Sequence, residues 1–298
     1  MLVGRSHECD SPAEILDRPV LTSSTTNAPD PAGIDAQVRS ALDGDRSLYR
    51  LDGAMLADLR PDLILTQDLC SVCSIDLAAV RAAIAGLNPP PEVVSLNPTT
   101  FEGVLDDVLT VGVAAGLEKT AESLVIRLRE RFYRASGYVP AFLDGPRVAF
   151  IEWTDPIFVG GHWTPQLVER AGGRHPLNPT RPIPGAGSGI AAQLDQRVAD
   201  PSRRVAPEEL IASAPDAVVI CPCGFDLDQA RRAAEDLART PWWRDLPAVT
   251  AGRVALVDGD QMFNRPGPRL VDAFEWLVGW LNDQPHLIPE GFPWEPLR

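Results

Sequence analysis

The sequence predicts an α/β protein built as two halves around a long helix. Short aliphatic runs alternate with amphipathic segments, the pattern of strands and helices layered on mainly parallel sheets. One 19-residue helical stretch, Glu118–Ser136, lies midway along the 298 residues and would span ~28 Å at ~1.5 Å per residue, which suits a stiff connector. Nothing repeats at a short fixed period, so a solenoid is excluded.

The elements follow in order. In the first half the runs at 19–22 (PVLT), 62–67 (DLILTQ) and 92–97 (EVVSLN) read as strands. Helical stretches around 33–42, 52–59 and 76–86 stand between them, and 23–32 is a polar loop. TTFEGVLDDVLTVGVAAG then forms one helix and LEKTAESLVIRLRERFYRASG the longer one. Leu124, Ile126, Leu128 and Phe132 fit a single stripe on that second helix only in part.

The second half opens with a strand at 147–153 and a loop, TDPIFVGGHW. A helix follows with Thr164 as N-cap, Pro165 in its first turn and glycine at its end. A Pro/Gly/Ser loop covers 176–190, and Ser188–Arg203 reads as an irregular insertion. Next come a helix at 207–213, a strand at 216–220, a helix at 226–239 and a strand at 253–259. PRLVDAFEWLVGWLND is the last helix, and the chain ends in a Pro-rich tail.

Composition narrows the function classes. The formal charge is −14, with 27 basic against 41 acidic residues. No basic stripe exists to neutralise phosphates, which argues against nucleic acid. No apolar run reaches the ~18 residues of a membrane span. MLVGRSHECD carries no secretory signal, so the sequence as it stands predicts a cytoplasmic protein with reduced thiols.

LRPDLILTQ, the mid-chain helix, VGGHWTPQLVERAGG, PEELIASAPDAVVI and RPGPRLVDAFEWL resemble the helical-backbone (class III) solute-binding proteins of ABC importers for vitamin B12 and ferric siderophores. VGRSHECDSPAEI and TQDLCSVC look closer to the cobalamin-binding branch. The resemblance runs over nearly the whole chain. It implies two Rossmann-like lobes joined by a rigid helix: an N-terminal lobe at 1–116, a connecting helix at 117–141 and a C-terminal lobe at 142–298. It also implies a small metal-containing ligand in the cleft between lobes, an ABC permease as partner and no catalysis. Two departures stand out. The family's usual export signal is not seen, and the first strand–helix unit before Val3-Gly4 is missing. Either the start codon is placed too late, in which case the protein would be periplasmic or at the cell surface, or this lobe begins abnormally. The unpaired sheet edge that a missing first strand would expose favours the former.

Ligands of open α/β sheets bind outside the carboxyl ends of the strands. Those exits hold all five cysteines and two of the four histidines. His7 and Cys9 would follow a strand ending near Val3-Gly4, Cys70 and Cys73 follow the strand at 62–67, and Cys221 and Cys223 follow that at 216–220. Trp153, Asp155 and His162 come after the strand at 147–153.

Thiolates with imidazole suit Zn²⁺, an iron–sulfur cluster or another soft metal, so His7, Cys9, Cys70, Cys73, Cys221 and Cys223 are the candidate metal ligands. Trp153, Asp155, His162 and Phe263 are the candidate ligand-binding residues, the aromatics lining a flat macrocycle. Trp153, Trp163 and Phe263 read equally as core, and His162 as a helix cap. A redox role for Cys70-x-x-Cys73 is disfavoured because the leading thiol sits in a loop rather than opening a helix. Trp242, Trp243, Trp276 and Trp280 read as packing, while His175 and His286 read as exposed. Arg269 reads as a helix-end contact and Glu275 as half of a surface or interlobe pair. No Walker lysine follows GGHW or GAGSG, and no G-x-S-x-G elbow occurs.

Three functions remain open. One is a binder of a corrinoid (cobalamin-like) or other metal-containing ligand, with a cleft thiol or imidazole as an axial ligand. The second is a cytoplasmic metal or iron–sulfur protein on the same scaffold. The third is a thiol-dependent enzyme using Cys70 or Cys221, which would need a perturbed thiol pKa.

Overall fold

The computed structural model describes residues 1–44, 46–68, 77–141, 144–187 and 196–297. The chain divides into two compact units. Unit 1 comprises Met1–Pro98 and Thr110–Lys119, and unit 2 comprises Thr99–Leu109 and Thr120–Arg298.

Unit 1 holds β1 (Thr22–Ser24), α1 (Pro31–Asp43), β2 (Tyr49–Leu51), α2 (Gly53–Leu59), β3 (Leu63–Thr66), α3 (Leu77–Ile84) and β4 (Glu92–Ser95). Its first two helices start where side chains satisfy free backbone N–H groups. Asp30 accepts from Gly33 N–H at 2.8 Å, with Pro31 opening α1, and Asp52 accepts from Met55 N–H at 2.9 Å to open α2. β3 and β4 pair in parallel, Leu63 opposite Glu92 through Thr66 opposite Ser95. β1 instead pairs antiparallel with β2, Thr22 opposite Leu51. The sequence shows no strand at 49–51, because three residues ending in the polar Asp52 cap carry no readable period. Val20 makes a parallel bridge to Arg5.

Two helices, α4 (Phe101–Ala114) and α5 (Glu118–Ser136), run through the chain positions where the division falls. Thr120 onward belongs to unit 2, so most of α5 packs as part of that unit's core. Its buried residues are Ala121, Val125, Leu128, Phe132 and Ala135. Their alternating spacing of four and three is a complete stripe; it keeps Leu128 and Phe132 of the sequence-based set but takes Val125, leaving Leu124 half-buried and Ile126 exposed. Phe132 stacks between Phe101 (centroids 4.4 Å apart) and Phe274 (3.9 Å), with the Arg170 guanidinium 4.4 Å from its ring.

Unit 2 continues through β5 (Val148–Thr154), β6 (Ile157–Val159), α6 (Trp163–Arg170), β7 (Arg181–Pro182), β8 (Arg197–Val198), β9 (Arg203–Arg204), α7 (Pro207–Ser213), β10 (Ala217–Ile220), α8 (Leu227–Ala238), α9 (Pro247–Thr250), β11 (Val254–Val257), α10 (Arg269–Leu281) and β12 (Trp294–Pro296). A six-stranded mixed sheet in the order β12-β11-β10-β5-β6-β9 forms its centre. The three middle strands, β11, β10 and β5, are parallel. Val254–Val257, Ala217–Ile220 and Val148–Ile151 are buried at every position, as strands covered on both faces require. Leu210, Leu237, Trp243 and Leu246 pack into the same core.

Three features depart from the sequence reading. The loop after β5 folds back as β6, antiparallel, with Thr154 opposite Ile157; Pro156 and Gly160 bracket a run too short to show alternation. The Pro-rich tail supplies β12, antiparallel to β11 and locked by a two-pronged contact from Arg231 to Glu295 (2.6 and 2.9 Å). Within the expected insertion, β8 pairs with β7, and β9 extends the main sheet beside β6. Residues 188–195 of that stretch lie outside the described residues. Glu275 pairs with Arg131 of α5 inside unit 2, so it is not an interlobe partner.

Candidate functional site at the carboxyl ends of the parallel strands

The three parallel strands of unit 2 release their chains at one end of the sheet, and three loops meet there. Backbone hydrogen bonds join them. Cys221 N–H donates to Ile151 O at 2.8 Å, and Cys223 N–H donates to Glu152 O at 3.1 Å, tying the β10 exit to β5. Gly224 N–H donates to Gly259 O (3.2 Å), while Gly259 N–H returns to Phe225 O (2.9 Å), tying the β10 exit to the β11 exit. A Cβ on Gly259 would lie 1.9 Å from Pro222 O, so only glycine permits this approach.

The surface of this end carries a small set of side chains. Trp153 is half-buried, its indole N–H donates to Asp155 O at 3.1 Å, and its ring lies 5.1 Å from that of Phe225. Asp155 and Cys223 are exposed. Arg265 pairs with Asp260, and the buried Asp258 accepts from Gln261 N–H at 2.8 Å.

His162 is half-buried at the N-cap position of α6, with φ of +53° and no side-chain cap bond. Its N–H donates to Asp200 O at 3.1 Å. Thr164, expected to cap this helix, lies inside its first turn. The helix starts earlier because Gly161 runs against the Ser202 backbone, where a Cβ would lie 2.1 Å from Ser202 N. Gly161 N–H also donates to the Glu152 carboxylate at 3.3 Å, linking the His162 turn to the end of β5.

Two expected members of the site are buried instead. Phe263 is 1% exposed, packed on Phe150 (4.8 Å) and Trp276 (6.0 Å), and its carbonyl receives the Trp163 indole N–H at 2.6 Å. Both aromatics take the core alternative. Cys221 is wholly buried, with Sγ 3.8 Å from Met262 O. Burial pushes its thiol well above the ordinary range, and the charges of Cys223, Glu152 and Asp258 act in the same direction. Cys221 is thus sealed in the core, while Cys223, two residues on, is exposed.

In unit 1, His7 sits in a turn where its Nδ1 is 2.7 Å from Thr22 Oγ1 and its Nε2 is 3.3 Å from Glu8. Cys9 is exposed, with Sγ 3.5 Å from Ser6 Oγ. Cys70 and Cys73 lie outside the described residues. Among the described residues no group of three or more His, Cys, Asp or Glu side chains is placed to hold a metal ion.

His175, expected at the surface, is buried. Burial lowers its pKa to about 4. Sequence reasoning missed Glu152, Phe225, Asp260, Asn264 and Arg265. The rule that found Cys221 and Cys223 would have found the last three in VALVDGDQMFNR had it been applied to the β11 exit.

Comparison with known proteins places this geometry. Among solved structures, the periplasmic heme-binding protein BhuT in complex with two hemes is similar at 23% identity and a TM-score of 0.65, over 95% of this chain and 89% of that one. An ABC transporter substrate-binding protein from Listeria monocytogenes matches at 17% identity and 0.64, over 95% and 92%. The periplasmic vitamin B12 binding protein BtuF of Vibrio cholerae matches at 16% and 0.61, over 95% and 89%. These likenesses establish the fold. No curated protein sequence matches the chain. The model of the periplasmic binding protein family matches residues 55–261. Members of that family are normally periplasmic and bind a small ligand for an ABC permease without transforming it. The chain belongs to the periplasmic binding protein family.

Proposed function

We propose that the protein binds a metal-containing macrocycle, a corrinoid first among them, for delivery to an ABC permease, and that the carboxyl-end face of unit 2 makes part of the contact. The observation that carries this reading is the half-buried Trp153, in ring contact with Phe225 and set beside Asp155, the exposed Cys223 and the His162 turn. The half-buried indole, backed by the tilted ring of the buried Phe225 and set among a few polar groups, offers an apolar face to a large planar ligand. Cys223 and His162 would supply the thiol and imidazole for the ligand's metal. Proteins of similar fold are described as binding heme and vitamin B12, which supports the class of ligand.

The test is titration of the purified protein with cyanocobalamin, haemin and ferrichrome, followed by absorbance and calorimetry. Saturable one-site binding of cyanocobalamin, weakened by Trp153→Ala, is expected. Absence of heat or spectral change with all three probes would refute the reading; tight binding of haemin alone would keep the class and replace the corrinoid.

A further inference from the structure

We infer that Asn264 is a positioning residue: its carboxamide clamps the β10 and β11 exits together and so fixes the face that carries Cys223, Phe225 and Trp153. Asn264 Nδ2 donates to Cys221 O at 3.0 Å and to Gly259 O at 3.0 Å. One amide group therefore spends both hydrogens on two different loops, each on a carbonyl that leaves the end of a parallel strand. The same nitrogen lies 3.6 Å from Cys221 Sγ, closing over the buried thiol.

The residue's own backbone is held tightly. Asn264 N–H donates to Met262 O at 2.6 Å, and the intervening Phe263 has φ of +56° and a buried ring. Asn264 is thus aimed by a strained turn anchored in the core, and it transmits that position to Cys221 and Gly259. The Cys221–Phe225 segment has no regular structure of its own. Backbone bonds of Cys221, Cys223, Gly224 and Phe225 also tie it down, and the clamp adds the one side-chain bond that fixes the Cys221 carbonyl, from which the exposed Cys223 two residues on takes its position.

The consequence for affinity rests on the proposed function, whereas the clamp itself can be tested without any ligand. The experiment uses the full chain with Cys9, Cys70 and Cys73 changed to serine, so that the thiols of unit 2 report alone. With a thiol reagent such as DTNB, the parent should show one fast thiol, Cys223, and one slow, Cys221. Asn264→Ala should speed Cys221 at least 10-fold while leaving Cys223 fast. Asn264→Asp, equal in shape but without either donor, should do the same. Affinity for whichever of cyanocobalamin or haemin the parent binds should fall 5- to 50-fold in both variants.

A Cys221 that stays closed in both variants overturns the clamp. A Cys221 that opens with unchanged probe affinity overturns the positioning role. Loss of fold in both variants makes Asn264 purely structural and also overturns it. If the parent binds no probe, the proposed function fails while the thiol rates still decide the clamp.

Discussion

His175 makes the stability of unit 2 depend on acid in a way that a single substitution can isolate. Its ring is wholly buried, with Asn178 N–H donating to Nδ1 at 3.1 Å and Phe150 N–H facing Nε2 at 3.3 Å. A neutral imidazole accepts at one nitrogen and an imidazolium at neither, so both surrounding donors oppose the proton. Burial, the largest cause, and the Arg203 charge lower its pKa from 6.5 to about 4.

The unfolded chain therefore binds the proton more readily than the folded one. The associated stability is fully present above pH 6.5, declines as pH falls toward 4 and is gone below it. The full effect is roughly 3 kcal/mol, of which about 2 kcal/mol is lost between pH 7 and pH 5. His175→Gln keeps an acceptor and cannot titrate. All seven tryptophans lie between residues 153 and 294, within unit 2, so urea unfolding followed by their fluorescence reports this unit directly. Wild type should lose about 2 kcal/mol more than His175→Gln between those pH values. Parallel pH dependences would refute the argument, because every other titrating group is common to both proteins.

Three further outcomes follow from the packing. Phe132→Ala removes the middle ring of the Phe101–Phe132–Phe274 stack and should cost about 3–5 kcal/mol in the same unfolding assay. Arg131→Met breaks the contacts to Asp272 (2.5 Å) and Glu275 (3.1 Å) that hold α5 to α10; since the guanidinium is 35% exposed, the loss should be only roughly 1 kcal/mol, read as a small drop in Tm that shrinks in high salt. Gly161→Ala drives a Cβ into Ser202 N and displaces the His162 turn, so probe affinity in a calorimetric titration should fall at least 10-fold, while Gly267→Ala, at a position with open space and no positive φ, should have the smaller effect.

The strands that were legible in the sequence are those whose environment is uniform. Val148–Ile151, Ala217–Ile220 and Val254–Val257 are continuous apolar runs because both faces are covered, and each stands out against its polar flanks. α8 was legible for a local reason: Asp226 and Gln229 cap each other reciprocally, at 2.8 and 3.0 Å, in a motif that needs no tertiary partner. β2, β6 and β12 were not legible. Each has three residues, too few for a period, and each exists because a neighbouring strand offers an open ladder. His175 was misread for the same reason: its loop has the composition of a turn, and only the fold reveals Phe150 above it.

The site divides along the same line. Strand exits are found from the strands, so the Cys221–Cys223 loop after β10 and the Trp153–His162 segment could be located from sequence alone. Which of their side chains face solvent could not, because that depends on contacts between loops far apart in the chain. Cys221 and Cys223 are two residues apart and chemically alike, yet one is sealed under Asn264 and Met262 while the other is exposed. The sealing uses a donor 43 residues away, held by the positive φ of Phe263. Most of the face is thus fixed by main-chain contacts through Gly161, Gly259 and the carbonyls of Ile151 and Cys221, which leave few side chains free to distinguish ligands. Exchanging the half-buried Trp153 or the exposed Cys223 should accordingly change the order in which cyanocobalamin and haemin are preferred with little change in stability, whereas exchanging the glycines or Asn264 should weaken both probes together. A substitution series in which those two groups behave alike would show that shape and chemistry at this face are not separable.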